Sequence, residues 1–230
     1  MLTDKDVTIH NIPEIRDVLN LIELLKGLGV DVIRHRKGQY TFNAAGINTA
    51  YMQSEVFSAM AASLRGSIMI VGPMLTRFGK GYIPQPGGDK IGRRRLDTHF
   101  LGFQALGAQF DSDPDKHRYI VSCPRLKGAY MLLDEASVTG TANIVMAAVM
   151  AEGTTTIYNA ACEPYLQQLC KMLVSMGARI SGIGSNLLVI DGVTSLEGCT
   201  HTILPDMIEV GSFIGLAAMT ASEITIRNAG

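Results

Sequence analysis

The strongest constraint in this 230-residue chain is a helix ending that occurs three times. Gly29, Gly107 and Gly177 each follow Leu28, Leu106 or Met176 and precede Val30, Ala108 or Ala178. Four residues before each glycine stand Leu25, Phe103 and Leu173; seven before, Ile22, Phe100 and Cys170; eleven before, Val18, Leu96 and Leu166. Those spacings place one apolar stripe along a helix, and the glycine fits a left-handed C-cap. A strand is expected after each glycine, at 30–33, 108–110 and 178–180, and a second at 39–42, 118–121 and 187–190.

A second element recurs between these. Residues 54–64, 143–151 and 210–220 read as helices rich in Ala and Met, each leading toward a strand: Ser67–Ile70, Thr155–Ile157 and Ile224–Ile226. The opening Val7-Thr8-Ile9-His10 matches the same strand. The unit is helix, strand, helix, strand, strand, at a spacing near 70 residues. Its phase predicts a piece of a longer protein, because Val7 opens on a strand without its preceding helix and Gly230 falls where another helix should begin.

Composition restricts the function. With 20 Lys+Arg against 21 Asp+Glu, net charge is −1, so nothing pulls the chain toward nucleic acid or an anionic membrane surface. Apolar residues at 47% and charged residues at 18% exclude a disordered chain. The polar start does not read as a signal peptide, and the apolar run Ile144–Ala151 is far short of a bilayer span. Cys123, Cys162, Cys170 and Cys199 form no C-x-x-C pair and read as buried or free thiols of a cytoplasmic protein. The histidines at 10, 35, 117 and 201 have no metal-ligand spacing. Gly182-Ile183-Gly184 joins two strands and reads as a hairpin turn, not a dinucleotide fingerprint.

Two connections break the repeat. Residues 79–99 form a long segment rich in Gly and Pro, a candidate lid, with Arg93, Arg94 and Arg95 just before a helix start. Guanidinium groups beside helix amides suit a phosphate, while a solvated surface run is the plainer alternative. Residues 135–143 place hydroxyls and glycine at another helix start, which suits either a diphosphate cradle or ordinary N-capping.

The first of these connections carries a recognisable pattern: Pro86-Gly87-Gly88-Asp89-Lys90-Ile91-Gly92, then Arg94, Asp97 and His99. It resembles the active-site loop of the UDP-N-acetylglucosamine enolpyruvyl transferases, or 1-carboxyvinyltransferases. Arg65-Gly66-Ser67, Arg77-Phe78-Gly79, Arg125–Ala129, Ser137–Thr141, Ala151–Thr155, Glu163-Pro164 and Leu204–Glu209 extend the resemblance over essentially the whole chain. It implies an α/β fold, an enolpyruvyl-transferase-like inverse α/β barrel of repeated helix-strand-helix-strand-strand units in two domains. Residues 1–205 would be the catalytic-loop domain, lacking its first helix and strand, and 206–230 the first unit of a second, mostly absent domain. The family's N-terminal lysine-asparagine pair, its catalytic aspartate and its phosphate-binding arginines of the second domain lie outside this sequence.

The resemblance also implies a reaction, the first committed step of peptidoglycan synthesis, in the cytoplasm. The enolpyruvyl group passes from phosphoenolpyruvate to the 3-hydroxyl of UDP-N-acetylglucosamine, with no cofactor or metal. By position, Asp89 would donate a proton to C3 of phosphoenolpyruvate. Arg94 would bind phosphate, and Arg94, Arg95, Leu96, Asp97 and Thr98 would line the uridine nucleotide site. Glu135, Ala136, Ser137 and Val138 would contact the diphosphate, and Arg65 would add positive charge. The expected partners are these two substrates and the rest of the same chain, with no nucleic acid and no membrane. The fragment alone should be inactive. A competing reading is a non-catalytic repeat scaffold that binds a nucleotide sugar or a protein; the intact loop favours the enzyme, since a scaffold needs no lid.

Asp89 departs from the family's usual cysteine, and Glu135 stands where some members carry lysine. A carboxylic acid has a reference pKa of about 3.9 against about 8.5 for a thiol. A full-length enzyme with this loop is therefore expected to work best at mildly acidic pH, and a pH–rate profile flat to about pH 9 would speak against Asp89 as the acid. It should also resist fosfomycin, which alkylates the family's loop cysteine. Time-dependent inactivation by stoichiometric fosfomycin is the contrary result.

Overall fold

The computed structural model describes residues 1–84, 96–113 and 118–229. Three helices carry the repeated ending: α1 (Arg16–Gly27), α4 (Asp97–Ala105) and α6 (Pro164–Ser175). Gly29, Gly107 and Gly177 have φ of 92°, 95° and 102°. In each copy the amide after the glycine donates back to the helix, Val30 to the Leu25 carbonyl, Ala108 to Phe103 and Ala178 to Leu173. The glycine amides donate one residue further on, to Lys26, Gln104 and Val174, which completes a Schellman cap three times.

Each cap turns the chain into an antiparallel pair. These are β2 (Asp31–Arg36) with β3 (Gln39–Asn43), β5 (Gln109–Asp113) with β6 (Arg118–Ser122), and β9 (Arg179–Ser181) with β10 (Leu187–Asp191). Gly182 and Gly184, at φ of 78° and 92°, form the expected turn between β9 and β10. A third strand lies antiparallel on each pair: β1 (Val7–His10), β4 (Lys80–Pro84) and β8 (Thr154–Tyr158). Two short strands then link the units. β7 (Tyr130–Leu132) lies parallel to β8, and β11 (Cys199–Thr202) lies parallel to β1, pairing Val7 with Cys199 across most of the chain.

Inside the sheets lie α3 (Val71–Phe78) and α5 (Val138–Ala148), preceded in the first of these units by α2 (Glu55–Ser63). In α5, residues from Gly140 to Val145, Ala147 and Ala148 are buried, as befits a helix of mostly small and apolar residues whose buried Asn143 is hydrogen-bonded. Its neighbours approach closely: a Cβ on Gly72 of α3 would strike Asn143, and one on Gly102 of α4 would strike the Ile144 side chain. Sheets outside and helices inside give the expected inverse α/β arrangement.

Two expected strands differ. Ser67–Ile70 lies in a 3-10 turn, Arg65–Ile70, that runs into α3, and the strand of that unit is β4. The apolar run satisfies a buried helical turn as well as a strand, and Gly72-Pro73 sits in the first turn of α3, where proline costs no helix hydrogen bond. Ile224–Ile226 forms no strand, since no neighbour among the described residues offers it a ladder. It follows α7 (Met207–Thr220), which has no buried residue. Among the described residues no single helix is long and apolar enough to cross a membrane; α2 and the Arg65–Phe78 segment pass only as a pair bent by 117°.

The caps differ in what surrounds them. A Cβ on Gly29 would strike the Gly46 carbonyl, whereas one on Gly177 meets nothing within 4 Å. Gly177→Ala is expected to cost about 1–2 kcal/mol for the left-handed conformation alone. Gly29→Ala adds overpacking against backbone and should cost about 3 kcal/mol or more. Urea unfolding of the two variants measures the gap.

Candidate active site

The starts of α4 and α5 and the 3-10 turn at Arg65–Ile70 meet at one cleft of about 550 Å³. Asp17, Arg65, Gly66, Leu96, His99, Glu135, Ser137 and Thr139 are among the residues lining it. Four residues expected from the sequence therefore line one cleft: Arg65, Leu96, Glu135 and Ser137.

Local chemistry explains the placement. Ser137 caps α5: its Oγ accepts from the Gly140 amide at 3.2 Å, and its carbonyl accepts from the Thr141 amide at 2.8 Å. The amides of Val138 and Thr139 remain at the positive end of the helix beside the cleft. Capping and a polar cleft wall thus coincide at Ser137.

Thr98 is buried beneath the cleft, at 3% exposure. Its hydroxyl lies 3.3 Å from Asp134 Oδ1 and 3.2 Å from Glu135 Oε1, and its single proton serves one carboxylate at a time. Thr98 therefore ties α4 to the segment before α5 and does not line the cavity. Asp97 is exposed in the first turn of α4. Ala136 and Val138 flank Ser137 without lining the cleft. Asp89, Arg94 and Arg95 lie outside the described residues.

Asp17 joins the site without a sequence signal, while His99 and Thr139, part of the loop pattern and of the 135–143 segment, join it without an individual role having been assigned to them. His99 follows the Asp97-Thr98 pair within the same helical turn, which is the sequence signal that marks it. Burial first, and then the nearby Arg65 charge, lower its pKa from 6.5 to about 4. The ring is neutral at physiological pH. Among the described residues the formal charges lining the cleft are Arg65 against Asp17 and Glu135. No group of three or more His, Cys, Asp or Glu among them is arranged to hold a metal ion.

The His99 shift has a definite sign in stability. Between pH 6.5 and about 4 the unfolded chain binds a proton at His99 that the folded chain refuses. The stabilisation is complete above pH 6.5 and is lost as pH falls toward 4, by about 3 kcal/mol in all. Denaturant titrations at stepped pH should show this decline, and His99→Gln should flatten it. His201, whose pKa burial also lowers, and at the acid end Glu14, held low first by its hydrogen bond from Tyr40, keep part of the slope.

The chain matches known proteins along its full length. A family model described as EPSP synthase (3-phosphoshikimate 1-carboxyvinyltransferase) covers residues 1–230. The UDP-N-acetylglucosamine 1-carboxyvinyltransferase of Bacteroides thetaiotaomicron is 63% identical over 228 residues, 99% of this chain and 52% of that protein. The protein of the same name from Treponema denticola is 46% identical over 226 residues, 98% of this chain and 51% of the relative. The chain thus spans about half the length of the curated relatives it matches. Among solved structures, the enolpyruvyl transferase NikO from Streptomyces tendae superposes at a TM-score of 0.78 with 19% identity, over 93% of this chain and 49% of that one. An EPSP synthase from Acinetobacter baumannii superposes at 0.68, over 95% and 48%. At that identity the two structures speak for the fold, while the family model spans every residue: the chain belongs to the EPSP synthase family of carboxyvinyl transferases.

Proposed function

We propose that this segment supplies the loop-bearing half of an enzyme that transfers the enolpyruvyl group of phosphoenolpyruvate to the 3-hydroxyl of UDP-N-acetylglucosamine, within peptidoglycan synthesis. The observation that carries the reading is the cleft itself. Arg65, Leu96, Glu135 and Ser137 surround one cavity at two helix starts, and the segment that ends at Leu96 contains the Pro-Gly-Gly loop. The 63% identity to a relative of that name supports the same acceptor.

Each residue then has a chemical task. The acceptor hydroxyl adds to C2 of phosphoenolpyruvate and loses its proton, while Asp89 protonates C3. Loss of phosphate from C2 and of a proton from C3 restores the double bond in the product. The described part of the cleft holds one cation against two carboxylates, so a diphosphate needs more positive charge. Arg94 and Arg95, just before Leu96, supply it in this reading. Leu96 and Asp97 face the uridine end. The α5 amides beside Ser137, with Ala136 and Val138 as backbone contacts, meet the diphosphate. Glu135 is held by Thr98, and its negative charge assigns it to the orientation of that wall.

A domain boundary near Asp206 belongs to the same proposal. Asp206 caps α7 through its side chain, and Phe213, Ile214, Leu216 and Met219 of α7 are exposed, the last at 90%. In this reading 206–229 packs within a second domain.

The test uses a polypeptide that carries this segment at the full length of its relatives. It should release phosphate from phosphoenolpyruvate only when UDP-N-acetylglucosamine is present, and Arg94→Ala should lower kcat/KM by at least about tenfold. Turnover with shikimate 3-phosphate instead, or binding of the nucleotide sugar without turnover, contradicts the proposal.

A further inference from the structure

Asn143 is fully enclosed within α5, at 0% exposure, and its carboxamide meets three separate segments. Its Oδ1 accepts from the Gly72 amide of α3 at 2.9 Å, and its Nδ2 donates to the Ile68 carbonyl at 2.8 Å. The same Nδ2 lies 3.1 Å from His99 Nδ1. A backbone amide can only donate and a backbone carbonyl can only accept, so these partners fix which end of the carboxamide is oxygen. The nitrogen facing His99 therefore has only protons to offer. His99 Nδ1 must be the unprotonated ring nitrogen, and the ring proton sits on Nε2.

Among the described residues that proton's partner is Thr139 Oγ1, 3.4 Å from His99 Nε2. A hydroxyl that accepts there directs its own proton elsewhere, and Thr139 is exposed on the cleft. We infer that Asn143 and His99 are positioning residues that turn the Thr139 hydroxyl into a hydrogen-bond donor toward an anionic oxygen in the cleft, of the phosphate class. The inference rests on the reading of the cleft under Proposed function and adds to it one ligand contact and the two side chains that aim it. A protonated His99 would set an N–H against the Asn143 amide and break the chain. Burial and the Arg65 charge oppose that state, with Asp17 and Glu135 the acidic groups on the same cleft.

The chain of donors is tested in two ways in the full-length polypeptide. Nitrogen-15 NMR of the His99 ring should show the Nε2–H tautomer alone at pH 7, and an Nδ1–H or mixed tautomer overturns the inference whether or not a ligand binds. Calorimetry with UDP-N-acetylglucosamine supplies the second readout. Thr139→Val should weaken binding at least about tenfold and Thr139→Ser should restore it. Asn143→Asp, which reverses the donor direction, should weaken binding like Thr139→Val, and the double variant should add little. If Asn143→Asp does not fold, the Val and Ser variants with the NMR decide the matter alone. Binding unchanged in Thr139→Val overturns the inference, whereas no binding by the unsubstituted protein overturns the reading of the cleft and the Thr139 contact with it, leaving the NMR to judge the donor direction.

Discussion

Everything in this structure is arranged around the enclosure of α5. A helix this apolar along most of its length is stable only when other elements cover it. α3 and α4 come in over Gly72 and Gly102, where any side chain would strike α5, and the sheets close outside them. The parallel pairing of β11 with β1 brings residues near 200 beside residues near 7 and draws the third unit against the first. The direct packing of α4 on α5 at Gly102 and Ile144 brings the starts of those two helices together at the cleft.

The buried carboxamide of Asn143 at the middle of this packing does more than fill space. An unpaired carboxamide at the Asn143 position would cost on the order of 1–3 kcal/mol, so its partners are obligatory. They join α3, α4 and α5 at one point, directly below the cleft. Structural need and site geometry meet in the same hydrogen bonds, which carry a fixed polarity from the core to the surface.

Charge follows a similar division. The chain as a whole is close to neutral, and the described cleft balances Arg65 against Asp17 and Glu135. The concentrated positive charge lies in the sequence at Arg93 to Arg95, in the segment that does not repeat. In the reading proposed above, the repeats supply one wall of the cleft and the arginine run supplies the positive charge that this wall lacks.

The amino-acid sequence by itself determined the three capped helices, the strand pairs after them and the family motif, and the resemblance named Arg65, Leu96, Glu135 and Ser137, which the fold brings to one cleft. These are local: a glycine at φ near 100° and an apolar stripe leave their mark within about twelve residues. It misassigned Ser67–Ile70, because a short apolar run serves a buried turn as well as a strand. Only the tertiary structure decided that Thr98 lies beneath the cleft while His99 lines it, and that Asn143 speaks to Thr139 through a ring 44 residues away in the chain. Hydrogen bonds between helices depend on which faces pack together, and no periodicity within one helix records that.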